Sequence, residues 1–319
     1  MIHYARPGSA MPPVLPGDEV WLPDGQLGHL RIQHLTGRAD APVVIRPADG
    51  VITGAGLITV ESSCQHVLLD GCMRLLVSSC VPRPLIRVDA PDCGIINSVL
   101  TYSAEHDPLK ETDGIALLGD GCYAQGNLIA QCRHGIWLAG AGCRADENHV
   151  IACCGDHVRY TRNGTDVKHN VLLESWQGHP HNHNDFIQGW DATAEMPEQG
   201  TLYDCMVSGN LLRNGTGAYC IPAQGIGMFD GLASHITVMD NVVVTDHVLG
   251  ICMGHVDACV ISGNRVFGLQ GVAAGIRVRT GKAALYARTA IRPSRVAGNQ
   301  AAAYDLAPGL PLEQEVEHG

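Results

Sequence analysis

A short motif returns along this chain at a nearly constant interval. Asn followed by an aliphatic run occurs at Asn97-Ser-Val-Leu, Asn127-Leu-Ile-Ala, Asn148-His-Val-Ile, Asn170-Val-Leu-Leu, Asn210-Leu-Leu-Arg, Asn241-Val-Val-Val and Asn264-Arg-Val-Phe. The successive spacings are 30, 21, 22, 40, 31 and 23, so the base period is 21–23 and the longer intervals are that period plus an insertion. A second column precedes the Asn by four or five residues and reads Cys93, Cys122, Cys143, Cys205 and Cys259, with Cys72 a further member 21 residues before Cys93. A third column follows: Gly114-Ile115, Gly135-Ile136, His157-Val158, Phe186-Ile187, Gly225-Ile226, Gly250-Ile251 and Gly275-Ile276.

A period this short leaves no room for a helix pair, and the Leu-x-x-Leu-x-Leu pattern of leucine-rich repeats is absent. Two or three short strands per repeat fit an all-β, single-stranded right-handed parallel β-helix of about ten coils of roughly 22 residues. In such a solenoid each coil stacks ~4.8 Å from the next. Stacked Asn side chains then bond from coil to coil. The Cys column reads as a buried stack of small apolar groups, with a reactive or metal-binding role as the alternative. With 38 Gly among 319 residues the chain is rich in the residue that tight turns need. The expected division is a cap segment over 1–49, the β-helix over 50–300 and an extended tail over 301–319.

Lys and Arg number 21 and Asp and Glu 32, a net charge of −11 that disfavours nucleic acid as a partner. No run reaches the roughly 18 apolar residues of a membrane span. The N-terminal residues carry no apolar signal-peptide core, so the 13 cysteines are expected to be reduced thiols in a protein folded in a cytoplasm. Asn163-Gly-Thr165 and Asn214-Gly-Thr216 match the glycosylation sequon but read as Asn-Gly turns.

Gly17-Asp-Glu-Val-Trp-Leu-Pro-Asp-Gly followed by Ala41-Pro-Val-Val-Ile-Arg-Pro, together with the three columns, resembles the pectin-lyase superfamily of parallel β-helices over residues 17–299. The resemblance implies carbohydrate chemistry. Phage tailspikes and tail-associated depolymerases share the fold and fold in the host cytoplasm without a signal peptide. It therefore implies a polysaccharide partner, other phage tail proteins and a homotrimer, with a virion or otherwise cytoplasmic location. Glu111-Thr-Asp113-Gly-Ile also resembles the Asn-Thr-Asp motif of polygalacturonases. Glu replaces the Asn, and the expected Asp-Asp pair is only Gly155-Asp156-His157.

Insertions in a solenoid gather on one face and are often the binding side. Aligned on the Gly-Ile column, the preceding positions form a polar file, Asp113, His134, Asp156, Asp185 and Gln224, which turns apolar at Leu249 and Ala274. Two positions after the first residue of each Gly-Ile pair come Ala116, Trp137, Arg159, Gln188 and Gly227. Carboxylates and imidazoles for proton transfer beside aromatics for stacking on sugar rings are the parts a glycan groove needs. Asp113, Asp156, Asp185, His183 and His134 are the candidate catalytic residues. Trp137, His157, Arg159, His181, Gln188 and Trp190 are the candidate substrate contacts. Spacings of one and two coils between carboxylates straddle those of retaining and inverting glycosidases.

The segment His181-Asn-His183-Asn-Asp185 is the most unusual. It reads as a site loop, with metal ligation or an ordinary exposed turn as the alternatives. No cofactor is expected, since no motif for a divalent cation is present. Arg277 and Arg279 read as a solvated edge. The expected function is a glycan-binding and glycan-cleaving β-helix, with hydrolysis slightly ahead of lyase elimination. The alternative is a non-catalytic tail or adhesin subunit using the β-helix as a rigid rod.

Overall fold

The computed structural model describes residues 1–4, 13–22, 25–26, 29–47, 52–53, 57–71, 74–77, 84–102, 112–178, 183–195, 200–278 and 294–306. Among them the chain winds through three long parallel sheets of 12, 11 and 9 strands. One coil shows the plan. Tyr123–Gln125 lies in the first sheet, Leu128–Ala130 in the third and Ile136–Leu138 in the second, and Arg144–Asp146 then returns to the first. A parallel crossover of this kind is right-handed. Small two- and three-stranded sheets flank the main three.

Alternation decides which side chains fill the lumen. Ala124, Ile129, Ile136, Leu138 and Cys143 of this coil are fully buried. Each large aliphatic side chain removed from water contributes about 2 kcal/mol. The residues between them face out, as Trp137 does between Ile136 and Leu138.

The turns are sharp because one residue in each adopts a left-handed backbone. Before the ladder position these are Asn97, Gly126, Glu147, His169, Gly209, Asp240, Gly263 and Gly298. Before the Cys column they are Asp92, Gly121, Gly142, Gly164, Asp204, His235 and Ala258.

The Asn ladder runs Asn127, Asn148, Asn170, Asn210, Asn241, Asn264 and Asn299. Each Nδ2 donates to the next Asn Oδ1 at 2.9–3.0 Å and to a carbonyl of the preceding coil. Asn97 is not a member. It occupies the left-handed turn position and reaches Asp70, while the Ser98 N–H donates to Asn127 Oδ1. Asn tolerates that backbone region, which is why the motif slips by one residue there.

The Cys column is a buried stack whose thiols donate to carbonyls, Cys122 to Ala90 at 3.1 Å and Cys143 to Gly119 at 3.3 Å. Burial pushes Cys93 and Cys259 up to about 11 and Cys205 up to about 12, so none of these three is a ready thiolate, whereas the neighbouring Cys122 thiol lowers Cys143. Thr165, Ile236 and Ser294 take the position in later coils that lack Cys, each directly preceding a strand of the first sheet. Val67 rather than Cys72 takes it in the coil before Cys93, since Leu68 pairs with Gly94. Cys72 lies outside the described residues.

The sheets run past both boundaries expected from the sequence. Glu19–Leu22 and Val43–Pro47 already pair within the first sheet. Gln300–Ala301 and Ala303–Leu306 still pair within the third and second. Stacking needs only backbone partners, so neither composition shift interrupts it.

Candidate functional site

The outer face of the second sheet carries the candidates. Its central outward positions are in register from coil to coil: Arg31, Thr59, Arg87, Ala116, Trp137, Arg159, Gln188, Gly227, Cys252 and Arg277. The polar file runs alongside it at the strand entrance. Its backbones bond in sequence, the Gly114, Gly135 and His157 N–H groups donating to the carbonyls of His134, Asp156 and Asp185.

Three side chains of this file form a second ladder. Asp113 Oδ1 accepts the His134 N–H at 3.3 Å. His134 Nδ1 accepts the Asp156 N–H at 2.9 Å, which leaves the ring proton on Nε2. Asp156 Oδ1 accepts the Asp185 N–H at 3.1 Å, and Asp156 Oδ2 receives Arg159 Nε and Nη2 at 3.0 and 2.6 Å. His134 and Asp156 are almost fully buried, and desolvation holds His134 neutral, well below its ordinary range. Both therefore serve coil-to-coil bonding and present no lone pair to a ligand, contrary to the catalytic roles expected of them.

Asp185 ends the ladder. The strand Asp185–Gly189 starts two residues earlier than its predecessors, and the Gln224 N–H of the next coil donates to the Asn184 carbonyl instead. The Asp185 carboxyl is 0% exposed, and neither oxygen accepts a hydrogen bond from the described residues. Desolvation pushes it up to about 6, against the opposing pull of His183. Gly227 makes room for this arrangement. A Cβ there would lie 2.6 Å from the Phe229 ring and 3.3 Å from Asp185 Oδ1.

His183 stands over that carboxyl, with Nε2 3.3 Å from Asp185 Oδ2 and its side chain 55% exposed. The same Nε2 lies 3.4 Å from Gln188 Nε2, and the ring packs 5.8 Å from Phe229. Nε2 thus faces an acceptor and a donor. With its proton on Nε2 the neutral ring gives that proton toward Asp185 and keeps its lone pair on Nδ1; with the proton on Nδ1 instead, Nε2 accepts from Gln188 and the ring has no basic nitrogen facing a ligand. The Asp185 carboxylate beside it holds His183 above its ordinary range. Nδ1 makes no hydrogen bond within the described residues, which suits it to take a proton from a ligand.

The other candidates divide. Arg159 faces outward over the Trp190 ring, 5.1 Å from its centroid. Trp137 faces outward two coils from Gln188, its Nε1 donating to Thr161 Oγ1 at 3.4 Å. His157 does not reach the outer face. It is fully buried, donates Nε2–H to the Leu173 carbonyl at 2.9 Å, stacks 4.6 Å from Phe186 and is pulled down to about 4 by desolvation. It occupies a lumen-side position that smaller residues, Gly114 and Gly135, fill in earlier coils. His181, Glu111, the Glu105–Asp107 stretch and Arg279 lie outside the described residues.

A groove of ≈770 Å³ opens on the same face over the earlier coils, lined among others by Arg31, Thr59, Arg87, Asp113, Arg133 and Trp137. Most of these were not singled out from the sequence. The signal was there in Leu30-Arg31-Ile32, Ile58-Thr59-Val60 and Ile86-Arg87-Val88, the same inward-outward-inward triplet carried toward the N-terminus. Burial pushes Asp113 up to about 6, although Arg159 and Arg133 pull it down. Among the described residues no group of three or more His, Cys, Asp or Glu is arranged to hold a metal ion, and no helix is long and apolar enough to cross a membrane.

No protein-family model and no curated protein matches the sequence. Solved structures do match it in shape. An alginate lyase from Paenibacillus sp. str. FPU-7 is 13% identical, with 92% of each chain covered and a TM-score of 0.50. The DFA-IIIase of Arthrobacter chlorophenolicus A6, solved without its lid, is 15% identical over 94% of this chain and 80% of that one, with a TM-score of 0.54. The Dettilon tailspike protein is 12% identical over 91% of this chain, with a TM-score of 0.51, and this chain spans about half its length, 54%. Lyases and tailspikes alike are right-handed parallel β-helices, and that is the fold of this chain.

Proposed function

We propose that this protein binds a polysaccharide along the outer face of its second sheet and cleaves it, with His183 as the proton-transfer residue. The observation that carries this reading is the Asp185–His183 pair. A buried carboxyl with no hydrogen bond from the described residues sits under a half-exposed imidazole, on the sheet face that also carries, two coils before Gln188, a groove lined by Arg and Trp. Asp185 does not itself reach the surface, so it is a positioning residue that orients His183 and raises its basicity.

The geometry favours elimination over hydrolysis, a reversal of the sequence-based preference. Hydrolysis uses two free carboxyl groups about 5–9.5 Å apart. Asp156, one coil away, has both oxygens engaged. Asp113 is three coils away, roughly 14 Å at one strand spacing per coil. Elimination from a uronate needs a base for the proton beside the carboxyl group, a proton for the departing glycosidic oxygen and a cation near the sugar carboxylate. His183 would take the first proton and return it to the leaving oxygen, and the guanidinium one coil away in the outward file is Arg159, which shares its charge with Asp156. The lyases among the structural neighbours agree with this in fold.

Incubation with a panel of acidic and neutral bacterial polysaccharides tests it. Reducing ends are followed together with the ultraviolet absorbance of an unsaturated uronate. Wild type is expected to give both signals and His183→Ala neither. Asp185→Asn is expected to cut slowly, with the acid limb of its pH profile moved to lower pH because the imidazole loses its carboxylate partner. Reducing ends without absorbance would restore hydrolysis, and equal rates in wild type and His183→Ala would remove the site from this loop.

A non-catalytic glycan-binding subunit is the second reading. The engagement of Asp113, His134 and Asp156 in a structural ladder favours it. The setting we propose is a phage tail or another surface structure, with the chain as a homotrimer among tail proteins. The tailspike likeness supports that setting in fold alone.

A further inference from the structure

The groove on the earlier coils contains cations whose charge is already answered. Arg31 Nε donates to Glu61 at 2.7 Å, and Arg87 pairs with Asp89 at 2.9 Å. Arg159, next along the face, closes on Asp156. All three partners come from this chain, and Glu61 and Asp89 line the groove themselves. Counting the lining groups, Arg31, Arg87 and Arg133 stand against Glu61, Asp89 and Asp113, three of each sign. A glycan with a carboxylate on every sugar would meet as many carboxylates as guanidiniums, and the repulsion would offset the attraction.

Arg133 differs from the other three. It lines the groove, is partly exposed and forms no ion pair with any described residue. Its charge is felt by Asp113, but that carboxylate is turned to the His134 N–H. Trp137 lies four residues on and is also part of the wall, so a ring-stacking surface adjoins a cation that no described residue answers. Between Arg87 and Trp137 the outward position is Ala116, 1% exposed, which makes a low floor under them.

We infer that Arg133 and Trp137 form a subsite for one anionic sugar unit, and that the rest of the groove takes uncharged sugars through the hydroxyl-binding edges of its closed Arg–carboxylate pairs. The preferred substrate class is a mixed glycan in which acidic sugars are separated by neutral ones, rather than a homopolymer of uronate. This subsite rests on the reading of the outer face as the glycan-binding face but does not require His183 to act. Arg binds a carboxylate through two parallel hydrogen bonds, which Lys cannot reproduce. Stacking on Trp adds an apolar contact that is indifferent to charge.

The test is equilibrium binding to the full chain carrying Asp185→Asn, which slows cleavage of the probes. Three size-matched probes are titrated by calorimetry: hyaluronan oligosaccharides, in which uronate alternates with a neutral sugar, oligogalacturonates, charged on every sugar, and uncharged dextran oligosaccharides. The alternating probe is expected to bind about tenfold more tightly than either other probe. Adding Arg133→Ala is expected to remove that advantage, with Arg133→Lys restoring only part of it. Adding Trp137→Ala is expected to weaken the alternating and the uncharged probe alike. Tightest binding by oligogalacturonate, an unchanged Kd in Arg133→Ala, or binding by none of the three would each overturn the subsite. Loss of the Arg133 effect with cleavage still dependent on His183 would sink the subsite alone. An Arg133-dependent preference in a protein that cleaves nothing would sink the cleavage reading alone.

Discussion

Replacing Asp185 by Asn should make the protein more stable and a poorer catalyst. The side chain is fully buried and lacks hydrogen bonds from the described residues, and its pKa rises from 3.8 to about 6 on folding. The sign follows from which state binds the proton more tightly. The folded state does, so the protonated form is favoured by folding, and stability is lost as pH rises from about 4 through about 6. The difference costs on the order of 3 kcal/mol once the carboxylate is ionised in both states, and only a small part of that at pH ~4. Asn keeps the shape and cannot ionise. Urea unfolding of wild type and Asp185→Asn between pH 4 and 8 should therefore give a stability gap that opens with pH and levels off near neutrality, at unchanged m-value. A gap independent of pH, or a variant less stable than wild type at pH 8, would refute the argument that this carboxylate is held at a cost.

Other outcomes follow from the turns and ladders. Asn148→Ala should lower stability by about 4 kcal/mol, because it orphans the buried Ala124 carbonyl and Asn127 N–H and cuts two ladder bonds; the midpoint of denaturant unfolding measures it, against a much smaller loss for the more exposed end member Asn299→Ala. Glu147→Gly should raise the midpoint by about 1 kcal/mol equivalent, since Glu147 holds a left-handed backbone at φ 56° and only an exposed bond to Gln125 is given up.

Most of the architecture was legible because a solenoid repeats its constraints. The Asn, Cys and Gly-Ile columns carried the register of all three sheets, and the outward file from Ala116 to Gly227 falls on successive coils as the spacing implies. The file Asp113, His134, Asp156, Asp185 was also legible as a line of neighbours. Its division of labour was not. Whether a carboxylate accepts the N–H of the next coil depends on where that strand begins, and residue type carries no record of it. His157 shows the same limit. The pair His157-Val158 aligns with Gly-Ile, yet an imidazole there must choose the lumen or the groove, and Phe186 in the next coil settles it inward. The arginine-lined stretch was missed for a simpler reason. The repeat was traced from its Asn residues, which start only after Arg31, Thr59 and Arg87 have gone by.

The interrupted second ladder says something about where activity can arise on a repetitive scaffold. For three coils each polar side chain is answered by the backbone of the coil above, so each is as inert as mortar. The longest interval between ladder residues, the 40 residues from Asn170 to Asn210, breaks this sequence of answers at Asp185. A carboxyl that would have been one more structural acceptor is left with an open valence of hydrogen bonding and an imidazole beside it. Chemistry in such a fold need not be added to the repeat from outside. A single irregular coil can release a group that the regular coils keep occupied, and the length of that coil chooses which group is released.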